Sequence, residues 1–239
     1  MSSTRKIAVI TGVLFILATL TGPLLATPLT PDMTGADYLV RFAEQTNQAA
    51  AGVLLWIISA FTGAGIAIAM YPVLKERNPG LAMGSVIFRT IEAAFYLVGK
   101  VCLLSLLTLG QQFRAAGAVE RPALQAIGNL LVSVYDHAGL VAVFAFCVGA
   151  YMYYTLLFQA RLIPRWLSGF GVVAITLLLT ACVLATFSGN PITSYIPLAA
   201  PIAVQEIILA VWLIVKGFNP SAGASLSAQR ATNKLLSAA

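Results

Sequence analysis

Six apolar stretches run through this chain, each about 20 residues or longer, the length a helix needs to cross the hydrocarbon core of a bilayer. Three of them carry ionisable side chains well inside their limits: Arg89, Glu92 and Lys100 in the third, Asp136 and His137 in the fourth, Glu206 in the sixth. Charges in such positions are costly unless they face a protein interior or a water-filled cavity. The pattern therefore predicts an all-α fold, a six-helix transmembrane bundle closed around a polar centre.

The runs predict helices over Ile7 to Ala26, Ala49 to Tyr71, Ala82 to Leu109, Ala126 to Leu157, Trp166 to Phe187 and Pro197 to Lys216. Pro, Gly, Asn and charged residues fill the connections, as in Lys75 to Gly80 and Ser188 to Pro191. The last helix ends on Lys216, followed by Gly217 and Pro220, a usual stop signal. Residues 1–219 form one membrane domain in this reading, and the Ala- and Ser-rich stretch 220–239 is a flexible cytoplasmic tail. The first run resembles a secretory signal in following Arg5 and Lys6, but it exceeds the 7–15 apolar residues usual there. Leu24, two positions before Ala26, also breaks the small-residue cleavage pattern, so the run is read as an anchor.

Basic residues give the orientation. Nine (Arg5, Lys6, Lys75, Arg77, Arg161, Arg165, Lys216, Arg230 and Lys234) fall on the side of the two termini, and three (Arg41, Arg114 and Arg121) on the other. The positive-inside rule then places both termini in the cytoplasm of a cell whose cytoplasmic membrane holds the protein. Tyr71, Tyr153, Tyr154 and Trp166 are expected at the cytoplasmic interface and Tyr38 and Tyr195 at the opposite one, as an aromatic belt. In the first external loop, Thr34 to Asp37 reads as a helix start, and Leu39, Phe42 and Ala43 make an apolar stripe suited to a short interfacial helix.

Composition narrows the function classes. Only 9% of the 239 residues are charged, against about 25% in soluble domains. The net charge of +6 is scattered over several loops with no dense basic stripe, so nucleic acid is not an expected partner. Cys102, Cys147 and Cys182 lie singly within apolar runs, without the spacing of a zinc or redox motif. A lone histidine cannot supply bis-histidine haem ligation, and no phosphate loop, dinucleotide fingerprint or nucleophile elbow occurs. No cofactor or metal is indicated.

Helical spacing organises the charges. Arg89, Glu92, Tyr96 and Lys100 follow i, i+3, i+7 and i+11 on one face of the third helix. Gln125, Asn129, Ser133, Asp136 and His137 form a polar face on the fourth, and Gln205 adjoins Glu206 on the sixth. At 1.5 Å rise per residue, two layers are expected, Lys100 with Asp136 and Arg89 with Glu92 or Glu206. Three polar faces are thus expected to converge, with Glu92, Asp136, His137 and Glu206 as exchangeable sites or, alternatively, as charges that fix helix register. Asp136 could tune His137 only if adjacent helix residues, which point about 100° apart, were brought together. Small faces at Ser59, Gly63 and Ala67 and at Ala138, Ala142, Ala145 and Gly149 permit close helix contact, within the bundle or with a homo-oligomer or membrane-complex partner. An echo of Tyr71, Leu74, Arg77, Pro79 and Gly84 in Tyr154, Leu157, Arg161, Pro164 and Gly169 is better read as two similar cytoplasmic turns than as a repeat.

Three segments carry a family resemblance: Tyr71 to Lys75 with Phe88 to Ala93; Arg161 to Gly169; and Gln205 to Ile207 with Ala210 to Asn219. Together they resemble domain-of-unknown-function family forty-three eighty-six, uncharacterised bacterial multi-pass membrane proteins, over about residues 7 to 219. The resemblance implies a membrane bundle in which Arg89, Glu92, Arg161, Arg165, Glu206 and Lys216 belong to the signature, and it brings no activity with it. Lys75 and Trp166 join the basic residues of the cytoplasmic interface. The leading functional expectation is passage or sensing of a small solute or proton through the polar centre. A non-catalytic subunit or scaffold is the alternative. An intramembrane enzyme comes third, for want of a nucleophile with its base.

Overall fold

A computed structural model describes residues 3–219, all of whose long elements are helical. The expected tail, with Arg230 and Lys234, lies outside the described residues. Helix α1 (Ser3–Thr19) continues as a π-helical segment (Leu20–Ala26) and a 3-10 turn (Thr27–Leu29). There follow α2 (Tyr38–Glu44), α3 (Thr46–Leu74), α4 (Pro79–Ala115), α5 (Arg121–Gln159), α6 (Arg165–Ser188) and α7 (Ile196–Val215), the last preceded by a 3-10 turn (Ile192–Tyr195). Six helices are long and apolar enough to cross a membrane, with mean hydropathy from 1.8 to 2.4.

Local chemistry sets the ends. Asn78 caps α4 by accepting from the Leu81 amide at 3.0 Å, and Pro79 occupies the first helical position, where no amide is needed. At the C-terminus of α7, Gly217 adopts φ 78, while the Arg5 guanidinium donates to the carbonyls of Leu213 and Ile214. Carbonyls left open by the helix end thus find a partner on α1. Pro23 has no amide to give α1, and the helix widens into π geometry around it. Helices α4 and α5 are 37 and 39 residues long, so each extends about 55 Å, well past a hydrocarbon core of about 30 Å. They overrun the expected 82–109 and 126–157 because apolar content marks only the part inside lipid. Gln111, Gln112 and Arg114 continue α4 outside it.

Each span packs on the next in sequence, and α7 closes on α1, giving a ring of six antiparallel helices. Both small faces are buried inside that ring: Ser59, Gly63 and Ala67 on α3, and Ala138, Ala142, Ala145 and Gly149 on α5. Within lipid, apolar helices gain little from leaving water, so close van der Waals packing through small residues does that work.

The half of the bundle near the termini is filled solid. Phe15, Met70, Leu74, Tyr153, Tyr154, Leu157, Leu209 and Leu213 are at most 1% exposed there. This corrects the aromatic-belt expectation for Tyr153 and Tyr154. Because α5 runs on to Gln159, the pair sits more than a turn inside the helix end and faces the core; Trp166, 60% exposed, does lie on the surface. Tyr38 is buried as well. The short helix expected in the first loop is found as α2, and Leu39, Phe42 and Ala43 are buried against protein, chiefly α4, in a second core with Leu103, Leu106 and Val53.

Candidate functional site

Arg89 lies ten residues into α4, about 15 Å along its axis. It is 3% exposed. Its Nε and one terminal nitrogen donate to the Gly63 carbonyl on α3, at 3.2 and 3.0 Å. Its other terminal nitrogen stands 2.7 Å from Glu92 Oε2, one turn along the same helix. That contact is an ion pair without hydrogen-bond alignment, since neither atom has a hydrogen-bond partner. The Phe146 ring of α5 covers the guanidinium at 4.6 Å. Two glycines make the room. A Cβ on Gly63 would lie 3.0 Å from the guanidinium, and one on Gly149 would lie 3.2 Å from Arg89 Cγ. The small faces of α3 and α5 are therefore, in part, a socket for this arginine.

Glu206 stands on α7, nine residues before its end, about 14 Å along the axis and so near the level of Arg89. Its Oε1 is buried with no hydrogen-bond partner. No ion pair joins it to Arg89: of the two alternatives expected, Glu92, three residues away on the same helix, is the one that reaches the guanidinium. Glu206, Arg89 and Glu92 instead border a common cavity of about 380 Å³, with Tyr96 and Trp56 beside them. Its remaining walls are mainly apolar, among them Phe146, Leu178 and Ala203.

The second expected layer does not form. Lys100 is 3% exposed, yet its ammonium lies over the rings of Trp56, at 4.3 Å, and Tyr135, at 4.9 Å, with no carboxylate in ion-pair range among the described residues. Tyr135 occupies the position on α5 that faces α4; Asp136, the next residue, points about 100° away. Asp136 and His137 are exposed and border a separate cavity of about 520 Å³ at the end remote from the termini, with Asn129 and Ser133. There His137 Nδ1 lies 3.3 Å from Ser133 Oγ, and Tyr38 donates to Asn129 at 2.9 Å. The polar face of α5 is real, but it does not join the Arg89 cluster.

Gln205 also leaves the cluster. It is fully buried on the other side of α7, accepting from the Tyr154 hydroxyl and donating to the Leu167 carbonyl of α6 at 3.2 Å. Those bonds lock α5, α6 and α7 together. Sequence reasoning missed Trp56, whose ring meets both Lys100 and Tyr96 (5.6 Å between ring centroids), and Tyr153, whose buried hydroxyl lacks a partner. A tryptophan mid-run one helix away from a buried lysine was the available signal for the first. Lys75, Arg161, Arg165, Trp166 and Lys216 lie at or just beyond helix ends on the side of the termini. Arg161 is the one residue other than glycine with positive φ, 50°, among those described.

A ring of six apolar helices around a partly charged cavity defines the class, a multi-pass helical membrane protein. The chain belongs to the family Domain of unknown function (DUF4386), whose profile matches residues 10–217. Neither the curated proteins nor the solved structures contain a match to it.

Proposed function

We propose that the protein sits in the bacterial cytoplasmic membrane with both termini inside, and that it binds a small solute in the central cavity for passage or sensing. The nine-to-three division of basic residues supports the orientation. The observation that carries the binding reading is Glu206, a residue that borders a solute-sized cavity and has one carboxylate oxygen buried without a hydrogen-bond partner. Leaving such an oxygen without a partner is expensive, so the site gains when a donor or cation arrives. Arg89 and Glu92 form an ion pair, and Arg89 also donates to the Gly63 carbonyl, whereas Glu206 forms no ion pair and has no hydrogen bond at Oε1.

Passage requires a second state. The half near the termini is packed shut, so a solute leaving that way needs the Tyr153, Met70 and Leu209 region to part. Sensing requires only that the bound and empty bundles differ. The closed bonds of Arg89 and Gln205 favour the scaffold reading for those two residues, and the same test decides for the whole. In proteoliposomes, a panel of small solutes and imposed pH gradients should give flux, or ligand-dependent stabilisation, that Glu206→Gln abolishes while unliganded stability is kept. If Glu206→Gln unfolds the bundle and no solute gives either signal, the charge is structural and the scaffold reading holds.

A further inference from the structure

We infer that the ligand of the central cavity is a cationic amphiphile, an ammonium head on an apolar body, which enters sideways from the lipid; this rests on the binding reading above. The first observation is the gap. Helix α1 packs on both α3 and α7, but its π-helical continuation packs chiefly on α3 and not on the first half of α7. Pro23 on one flank and Ile196 and Ala200 on the other are exposed, and all three border the cavity. Pro23, Ile196 and Ala200 fall within the first and last apolar spans, Ser3–Leu29 and Ile192–Val215, so the gap opens through the side of the ring towards its outer end, where Ile192 and Thr193 also border the cavity. Pro23 sits in the π-helical segment on this flank, where its missing amide and the wider turn interrupt the helix.

The second observation is the chemistry of the interior. The walls reached through the gap, such as Ala199, Ala203, Leu178 and Phe146, offer an apolar body van der Waals contact and no hydrogen bonds. The floor holds two carboxylates and one guanidinium, and the guanidinium is already committed to Gly63 and Glu92. The uncompensated group is therefore the carboxylate of Glu206, an acceptor that suits an ammonium and repels an anion. A ligand with a charged head and no apolar body gains nothing from the apolar walls or from the lipid beside the gap. One with both parts partitions into the membrane first and reaches the gap from there.

The test uses the purified full-length protein in neutral detergent, with thermal unfolding read against decylammonium, decanol, decanoate and ethylammonium. Decylammonium should stabilise the wild type at concentrations roughly tenfold below those required for decanol or decanoate, the worth of one charge-assisted contact. Ethylammonium should give no shift. Glu206→Gln should lose the preference for decylammonium, and Ala200→Trp, which fills the gap and leaves Glu206 in place, should lose the shift itself. Equal shifts from decanoate and decylammonium, or an undiminished preference in Glu206→Gln, would overturn the head-group assignment. A shift from ethylammonium that Ala200→Trp leaves intact would overturn the route while sparing the binding reading. Silence from every compound, and from the wider solute panel, would overturn both.

Discussion

Replacing Arg89 with alanine strands Glu92 in a buried site, and the size of the penalty follows from what the arginine touches. Losing one partner of a buried ion pair typically costs about 3–5 kcal/mol, because the remaining charge is left without compensation. Within that total, the stacked Phe146 ring is worth about 1–2 kcal/mol. The Gly63 carbonyl also loses two donors. Neutralising the stranded carboxylate should return part of the loss. Arg89→Ala combined with Glu92→Gln should therefore be milder than the sum of the single changes, with a coupling of about 1–3 kcal/mol. The parallel cycle of Arg89→Ala with Glu206→Gln should couple more weakly, since no ion pair joins those side chains. Equilibrium unfolding in mixed micelles measures both cycles. Additive costs for Arg89 and Glu92, within about 0.5 kcal/mol, would refute the pairing, and stronger coupling to Glu206 would restore the cross-helix pair in its place.

Further outcomes follow from the same geometry. Gly63→Ala should cost about 1–3 kcal/mol by driving a methyl into the arginine socket, whereas Gly65→Ala, whose nearest neighbour would be a Leu14 methyl at 3.5 Å, should be tolerated; equal thermal shifts would deny the socket. Asp136→Asn should change stability by less than about 0.5 kcal/mol and show no coupling to Lys100→Met, as befits an exposed group unpaired to that lysine. Arg161→Gly should raise stability by about 1 kcal/mol by relieving a left-handed backbone that costs a side-chain-bearing residue, and a loss would mean that the side chain holds the α5–α6 turn. A cysteine at Asp37, in a background lacking Cys102, Cys147 and Cys182, should react with impermeant reagent outside the cell while one at Arg77 is spared. The opposite pattern would reverse the orientation.

Much of this architecture is legible in the sequence because a bilayer leaves few options. Apolar length alone locates all six spans, and the i, i+3 spacing of Arg89 and Glu92 puts the ion pair on one helix face. Gly63 and Gly149 announced close packing, though not that an arginine would fill the space they leave. What depth and charge sign could not supply was azimuth. Lys100 and Asp136 occupy comparable levels, yet a rotation of one residue presents Tyr135 to Lys100 instead, and an aromatic cage replaces the ion pair. Gln205 and Glu206 likewise point to different neighbours, one into the α6 interface and one towards the cavity. Pro23 is visible within the first run, but its result, a π segment that packs on α3, depends on which helix lies beside it. The Tyr153–Tyr154 pair has the composition and position of an interface belt, near the end of an apolar run, and only the packing of α5 turns both rings into the core.

On the reading proposed above, Glu206 borders a cavity open to solutes on one side and sealed on the other. Thiol accessibility tests it most directly. In a cysteine-free background, Glu206→Cys and Ala199→Cys should react with methyl methanethiosulfonate, which is small and neutral and enters from water or lipid, while Met70→Cys and Leu209→Cys, in the packed half, should stay unmodified under the same conditions. If Glu206→Cys proves as inert as Met70→Cys in a folded protein, the cavity is closed, and the account of a binding site at Glu206 is wrong.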